Sequence, residues 1–152
     1  MRTTFPFFYK PLINKFLLMA LQAILNINGK SYNVQDLDYR IFQPSDSRGK
    51  PTAIAEGGII NFTILANNKD NFLFHRWVLS ISDVESGEFL LPITNGIEHD
   101  TIILKFKDAF CTDLQVNYGS FNEKQLYMRI SITPTKLIFG TGVEYINKKI
   151  AK

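Results

Sequence analysis

The side chains of this chain that could bind a metal or attack a substrate are two histidines, one cysteine and a scatter of carboxylates. His75 falls within the apolar run Phe72-Leu73-Phe74-His75-Arg76-Trp77-Val78, and His99 within Glu98-His99-Asp100. Metal sites repeat Cys, His or carboxylate ligands at short fixed intervals, and neither histidine has such a partner. Cys111 follows Phe110. A thiol there reads as a small buried hydrophobe, because no sequence signature supplies the base a nucleophile needs. No Gly-rich phosphate loop and no Gly-x-Ser-x-Gly turn is present. The carboxylates lie singly in turns and form no pair for acid–base work. Asn61-Phe62-Thr63 matches a glycosylation acceptor, but within an alternating strand it carries no weight. The sequence therefore predicts no catalytic residue, no metal ligand and no cofactor.

What stands out instead is a polar segment, residues 43–58, between two strand-like stretches. Connections in compact domains usually run to about 4–6 residues, and structureless loops beyond roughly 12–15 usually bind something or stay disordered. This segment is read as an arm that reaches another copy of the chain. Its candidate contact residues are Asp46, Arg48, Lys50, Pro51, Ile54 and Glu56. The charged four are expected to form ion pairs across the contact. Exposed pairs are worth little individually, so backbone pairing and Ile54 packing should contribute more. Gly57-Gly58 reads as a bend where the next strand starts.

The elements that position this arm follow from hydrophobic alternation, the mark of strands with two unlike faces. Residues 21–27 place Ala23, Leu25 and Ile27 on one face, and Asn28-Gly29 is a strong hairpin signal. Strands are expected over 31–34 and 37–43, with Tyr39 and Ile41 opposed to Arg40 and Phe42. Residues 59–66 follow, with Ile60, Phe62 and Ile64 on one face. One helix is expected near 70–78, capped by Asn67 or Asn68, with Asp70 in its first turn. Its stripe of Leu73/Trp77 and Phe74/Val78 should plug an open barrel end. Strands over 88–94, 102–107, 109–118, 126–133 and 136–139 complete the pattern. Pro92 marks the first of these as an edge, and 109–118 is read with Phe110, Thr112, Leu114 and Val116 on one face. The fold class is mainly β: an antiparallel barrel of two packed sheets with one α-helix.

Composition agrees with one soluble domain: 45% of residues are hydrophobic and 20% charged. No apolar run approaches the ~18 residues of a membrane span. A single cysteine excludes an internal disulfide and is compatible with a reducing compartment. The net charge of +3 comes from residues 1–18, which hold Arg2, Lys10 and Lys15 and no acid. From Met19 onward acids and bases balance, so the whole chain offers no basic surface for nucleic acid. Residues 1–18 are open to three readings: a signal peptide cut after Ala23, an N-terminal arm, or a mis-assigned start with Met19 as the true first residue. The last is favoured, because strand patterning begins just after Met19. The domain is thus expected over 19–142, with 143–152 as a polar tail.

The order of segments resembles the Hcp (TssD) tube proteins of type VI secretion, in their Bacteroidetes form. The resemblance rests on 23–34 (Ala-Ile-Leu-Asn-Ile-Asn-Gly-Lys-Ser-Tyr-Asn-Val), Arg48-Gly-Lys-Pro51 leading to Gly57-Gly58, and Phe74-His-Arg-Trp77. It continues through Ser86-Gly87, Lys105-Phe-Lys-Asp-Ala-Phe-Cys111 and Ile130-Ser-Ile-Thr-Pro-Thr-Lys-Leu137, and covers about 19–140. Pro134 departs from the small or polar residue expected there and puts local strand geometry in question. The resemblance implies a structural, non-enzymatic subunit. Six copies would form a ring, and rings would stack into a tube driven out by a contracting sheath. The partners implied are sibling copies, sheath, tip or spike proteins and effectors, with no nucleic acid and no membrane insertion. Assembly would be cytoplasmic, followed by secretion through the apparatus. The segment 43–58 would then contact neighbouring subunits and the next ring. Two other readings stay open: the tail-tube subunit of a phage-like contractile particle, and a monomeric ligand-binding barrel.

Overall fold

The structure is a computed structural model and describes residues 22–66, 70–119 and 124–151. The expected leader, residues 1–18, lies outside the described residues. The elements run β1 (Ala23–Ile27), β2 (Lys30–Phe42), β3 (Glu56–Leu65), α1 (Leu73–Leu79), β4 (Glu85–Asn95), β5 (Glu98–Gly119), β6 (Gln125–Phe139) and β7 (Val143–Ile146). All strand pairs are antiparallel, in the order β3-β2-β1-β4-β5-β6-β7, and a β3–β6 pairing closes the first six into a barrel. Closure removes the exposed sheet edges that would otherwise invite unwanted pairing. Asn28 and Gly29, both at positive φ, make the tight β1–β2 turn that their dipeptide predicts.

Alternation sets the core. Leu25, Ile27, Tyr32, Ile60, Phe62, Ile64, Phe89, Leu104, Phe106, Met128, Ile130 and Ile132 all point inward and are almost fully buried. Each such side chain contributes roughly 1.5–3 kcal/mol by leaving water. Phe62 and Phe89 meet edge to face at 5.0 Å, and Phe89 meets Phe106 at 5.5 Å. Helix α1 covers one end through Leu73, Phe74 and Trp77. Phe74 stands edge to face on Tyr32 at 5.2 Å, and Trp77 Nε1–H donates to the Ala109 carbonyl at 3.1 Å. Burial first, and the Asp70 carboxylate second, push the Tyr32 hydroxyl up to about 12, so it stays neutral.

Several expectations need correction. Asp70 is not in the first turn of α1, which holds no acid. It lies ahead of the helix, where its Oδ1 accepts from the Phe72 N–H at 2.9 Å and its carbonyl from the Leu73 N–H at 3.2 Å. Phe72 takes the cap position in a left-handed conformation without a side-chain cap. Asn67 and Asn68 lie outside the described residues. The expected pairs of short strands at 31–43 and 102–118 are single long strands bent by irregularities. β2 shifts register between Val34 and Asp36, and β5 does so between Cys111 and Asp113. The inward residues of β5 change parity twice, first around Asp108, which is at positive φ opposite the β4 irregularity between Glu85 and Gly87, and again at the shift between Cys111 and Asp113. Ala109 and Cys111 are buried there, not Phe110 and Thr112, while Leu114 opposite Ile130 returns to the inner face. Strand β4 is flanked by β1 and β5 over Gly87–Leu90 and is an edge beyond it, so the edge that Pro92 marks is local. Pro92 is tolerated because β1 pairs only with Gly87–Leu90 and leaves that side of Pro92 open. Pro134 is accommodated within β6, where β6 lies beyond the β3 pairing and short of the β7 pairing.

The polar tail expected from residue 143 instead begins as β7, which pairs Val143–Ile146 with Lys136–Phe139. Tyr145 is 9% exposed, and its hydroxyl donates to the Gly57 carbonyl at 3.0 Å. The bend expected at Gly57-Gly58 is present, with both residues at positive φ. Its physical cause is this docking: a Cβ on Gly58 would stand 2.5 Å from Tyr145 Cε1, and one on Gly57 2.3 Å from the Arg40 carbonyl oxygen. Gly58→Ala is therefore expected to cost about 1–3 kcal/mol in urea unfolding, through both the clash and the left-handed backbone. Tyr145→Ala in the same chain should recover only the clash.

Candidate self-assembly surface

The arm is shorter and better ordered than its sequence implies. Strands β2 and β3 run up to Phe42 and from Glu56, leaving 43–55 as the connection. Asp46 folds it. Its Oδ1 accepts from the N–H groups of Arg48 at 2.9 Å and Lys50 at 3.0 Å, which turns the chain back so that Ser45 and Pro51 form a bridge. Thr52 closes the base by donating its N–H and its hydroxyl to the Pro44 carbonyl. A short acidic side chain bonding the backbone just ahead is the chemistry of an Asx turn.

The six candidate residues separate accordingly. Asp46 shapes the loop and makes only a 3.9 Å contact with the Arg48 guanidinium, whose side chain is 86% exposed. Glu56 already pairs with Lys149 at 3.4 Å, within the same chain. Arg48, Lys50, Pro51 and Ile54 project, with Ile54 58% exposed. The loop thus presents two exposed cations, Arg48 loosely held by Asp46, and one aliphatic side chain on a self-supporting turn.

Two walls of the barrel carry outward-facing apolar side chains. On the β2–β3 wall, Phe42 and Ile59 are exposed above a polar rung that spans four strands. In that rung, Asn61 Nδ2 donates to Asp38 Oδ1 at 3.0 Å, Ser131 Oγ donates to Asn61 Oδ1 at 2.6 Å, and Thr112 Oγ1 donates to the Ser131 carbonyl at 3.3 Å. Arg40 lies 4.8 Å over the Phe42 ring. On the β1–β4–β5 wall, register lines up Ile24, Leu90 and Ile103 across three strands, all facing outward. The two walls share no strand. Strand alternation alone gives no sign that these outward apolar residues fall into separate patches.

Among the described residues, no group of three His, Cys, Asp or Glu side chains could hold a metal ion. Burial pushes the Cys111 thiol up to about 11, which keeps it protonated and a poor nucleophile at neutral pH. His99 stands exposed on β5, and His75 packs against the Phe72 ring at 5.3 Å. No helix among the described residues is long and apolar enough to cross a membrane.

Comparisons with known proteins bear on this surface. A family model described as hemolysin coregulated protein Hcp (TssD) matches residues 19–148. Among solved structures, Hcp1 from Flavobacterium johnsoniae superposes with a TM-score of 0.68 at 23% identity, covering 83% of this chain and 99% of that one. The secreted protein Hcp3 from Pseudomonas aeruginosa gives a TM-score of 0.60 at 12% identity, covering 83% and 97%. Hcp1 from Salmonella typhimurium gives 0.60 at 10% identity, covering 84% and 95%. No curated protein matches the chain.

Proposed function

Because the chain belongs to the Hcp (TssD) family, we propose that six copies close side by side into a ring and that such rings stack head to tail. The chain is a subunit of the type VI secretion tube. The observation that supports ring closure is the pair of unlike apolar patches on walls that share no strand. A heterologous contact joins two different surfaces of the same subunit, and it closes into a ring when the rotation between copies divides a full turn. The Phe42–Ile59 wall of one copy then meets the Ile24–Leu90–Ile103 wall of the next. Water leaves both patches, which a lone barrel would have to expose.

Stacking falls to the 43–55 loop, through Arg48, Lys50, Pro51 and Ile54, with Asp46 and Glu56 supporting from within the chain. Sheath, tip and effector proteins are the remaining partners in this reading, and the tube assembles in the cytoplasm before it is expelled. The role in this reading is mechanical, as a structural tube subunit. A ligand-carrying barrel is disfavoured because aromatic side chains fill the interior. A phage-like tail tube would share this geometry and differ in its neighbouring genes. Size-exclusion chromatography with negative-stain imaging tests the reading. Rings or stacks of rings are expected, and a uniform monomer at high concentration would overturn it.

A further inference from the structure

Strand β6 changes partner along one of its edges. Strand β5 follows the other edge from Gln125 to Phe139. On the first edge β3 pairs Ile60–Leu65 with Tyr127–Ile132, and β7 takes over at Lys136–Phe139. Between the two, β3 bends away from β6 at Gly57 and Gly58, both at positive φ. A β3 that kept its register would set Glu56 against Lys136, Ala55 against Leu137 and Ile54 against Ile138. Those are the places that Ile146, Tyr145 and Glu144 occupy. The C-terminal strand thus stands where the end of the 43–55 loop and the start of β3 would otherwise lie.

The same segment grips the chain it displaces. The Tyr145 hydroxyl donates to the Gly57 carbonyl at 3.0 Å, and its ring fills the space that a Cβ on Gly58 would take. Lys149 Nζ pairs with Glu56 at 3.4 Å. Asn147, 9% exposed, folds the residues after β7 into place. Its N–H donates to the Thr135 carbonyl at 2.9 Å, and its Oδ1 accepts from the Lys149 N–H at 3.1 Å. Three successive residues at the exit of the loop, Glu56, Gly57 and Gly58, are therefore held from the C-terminal segment.

We propose that residues 143–151 are a wedge that makes the 43–55 loop project, with Tyr145 as its positioning residue, and that residues 53–56 pair along β6 when the wedge leaves. An unpaired edge on β6 drives the exchange, together with Leu137, now fully buried, which would otherwise meet water. The exchanged loop lies against the barrel and loses its reach. The inference rests on the tube reading above only for its consequence, which is rings that do not stack.

A disulfide within one chain tests it. Residues opposite each other on antiparallel strands have Cα atoms about 4.5–5.5 Å apart, inside the roughly 4.4–6.8 Å that a disulfide spans. The pair Ile54→Cys/Ile138→Cys is placed in the full chain, with and without Tyr145→Asp. That third substitution puts a charge at a buried site near Glu56 and expels β7. Each protein is mildly oxidised, and the single-chain band of a non-reducing gel is digested and its linked peptide quantified by mass spectrometry. Linkage is expected with Tyr145→Asp and not without it. Cys111 is buried in the fold and does not compete. Ser47→Cys in place of Ile54→Cys is the control, because the loop tip meets residue 138 only in an unfolded chain. Where that control links, Tyr145→Ala/Lys149→Ala replaces Tyr145→Asp. Equal linkage with and without the wedge substitutions, or none with either set, overturns the proposal. Without the added cysteines, Tyr145→Asp should run as rings and show no long tubes in negative stain, and long tubes would break the tie to stacking. Failure of the tube reading looks different: the wild-type protein itself then builds no rings, and the linkage result stands apart from it.

Discussion

A chain in which residues 48–55 are replaced by a short Gly-Ser link is expected to fold normally and to lose the ability to build tubes. The loop contributes little to the barrel. Of its residues only Ala55 packs against the core, and the bonds made by Asp46 and Thr52 begin and end within the loop. Closure entropy changes slowly with length, by about 0.6 kcal/mol for each twofold change, so the shorter link does not strain the β2–β3 pair. The melting temperature should therefore move by no more than about 2–4 °C, the shift that 1 kcal/mol gives a chain of this size. Rings should persist in size-exclusion chromatography, because their proposed contacts lie on the strand walls. Long tubes in negative stain would show that the loop is not a stacking contact.

Trp77→Ala is expected to bring the largest loss of stability. The indole is 2% exposed, lies 6.2 Å from the Phe74 ring, and satisfies the Ala109 carbonyl through its N–H. Truncating a buried Trp costs about 3–5 kcal/mol, out of roughly 5–15 kcal/mol that holds an ordinary domain together. Trp77→Phe keeps most of the apolar contact but leaves the carbonyl without that donor, a cost of about 1–3 kcal/mol. Urea unfolding should rank wild type above Trp77→Phe above Trp77→Ala. If Trp77→Ala unfolds at the wild-type midpoint, α1 does not seal the barrel.

Local pattern made much of this architecture legible. Leu126, Met128, Ile130 and Ile132 alternate cleanly, and they line the inner face of β6. Asn28-Gly29 announced its hairpin, and Leu73, Phe74 and Trp77 announced the buried stripe of α1. The misreadings share a physical cause. Alternation identifies a face only while register is constant, so the irregularities around Asp108 and between Cys111 and Asp113 exchanged the inner and outer residues of β5 twice without a mark in the sequence. Val143–Ile146 is too short to declare itself a strand. It becomes one because Lys136–Phe139 offers a free side and Gly58 leaves room for Tyr145.

The assembly surface divides along the same line. The sequence by itself determined that the chain is a barrel-forming β protein and that a charged arm lies between β2 and β3, and it carried the resemblance to Hcp (TssD) that the family model bears out. The first two follow from residue order, spacing and local backbone preference. Only the tertiary structure decided that Asp46 and Glu56 are occupied within the chain, that two apolar walls share no strand, and that β7 takes the edge of β6 that β3 leaves. Each depends on which strand lies beside which, and at what register. Those relations arise from contacts between residues far apart in the chain, where periodicity carries no information.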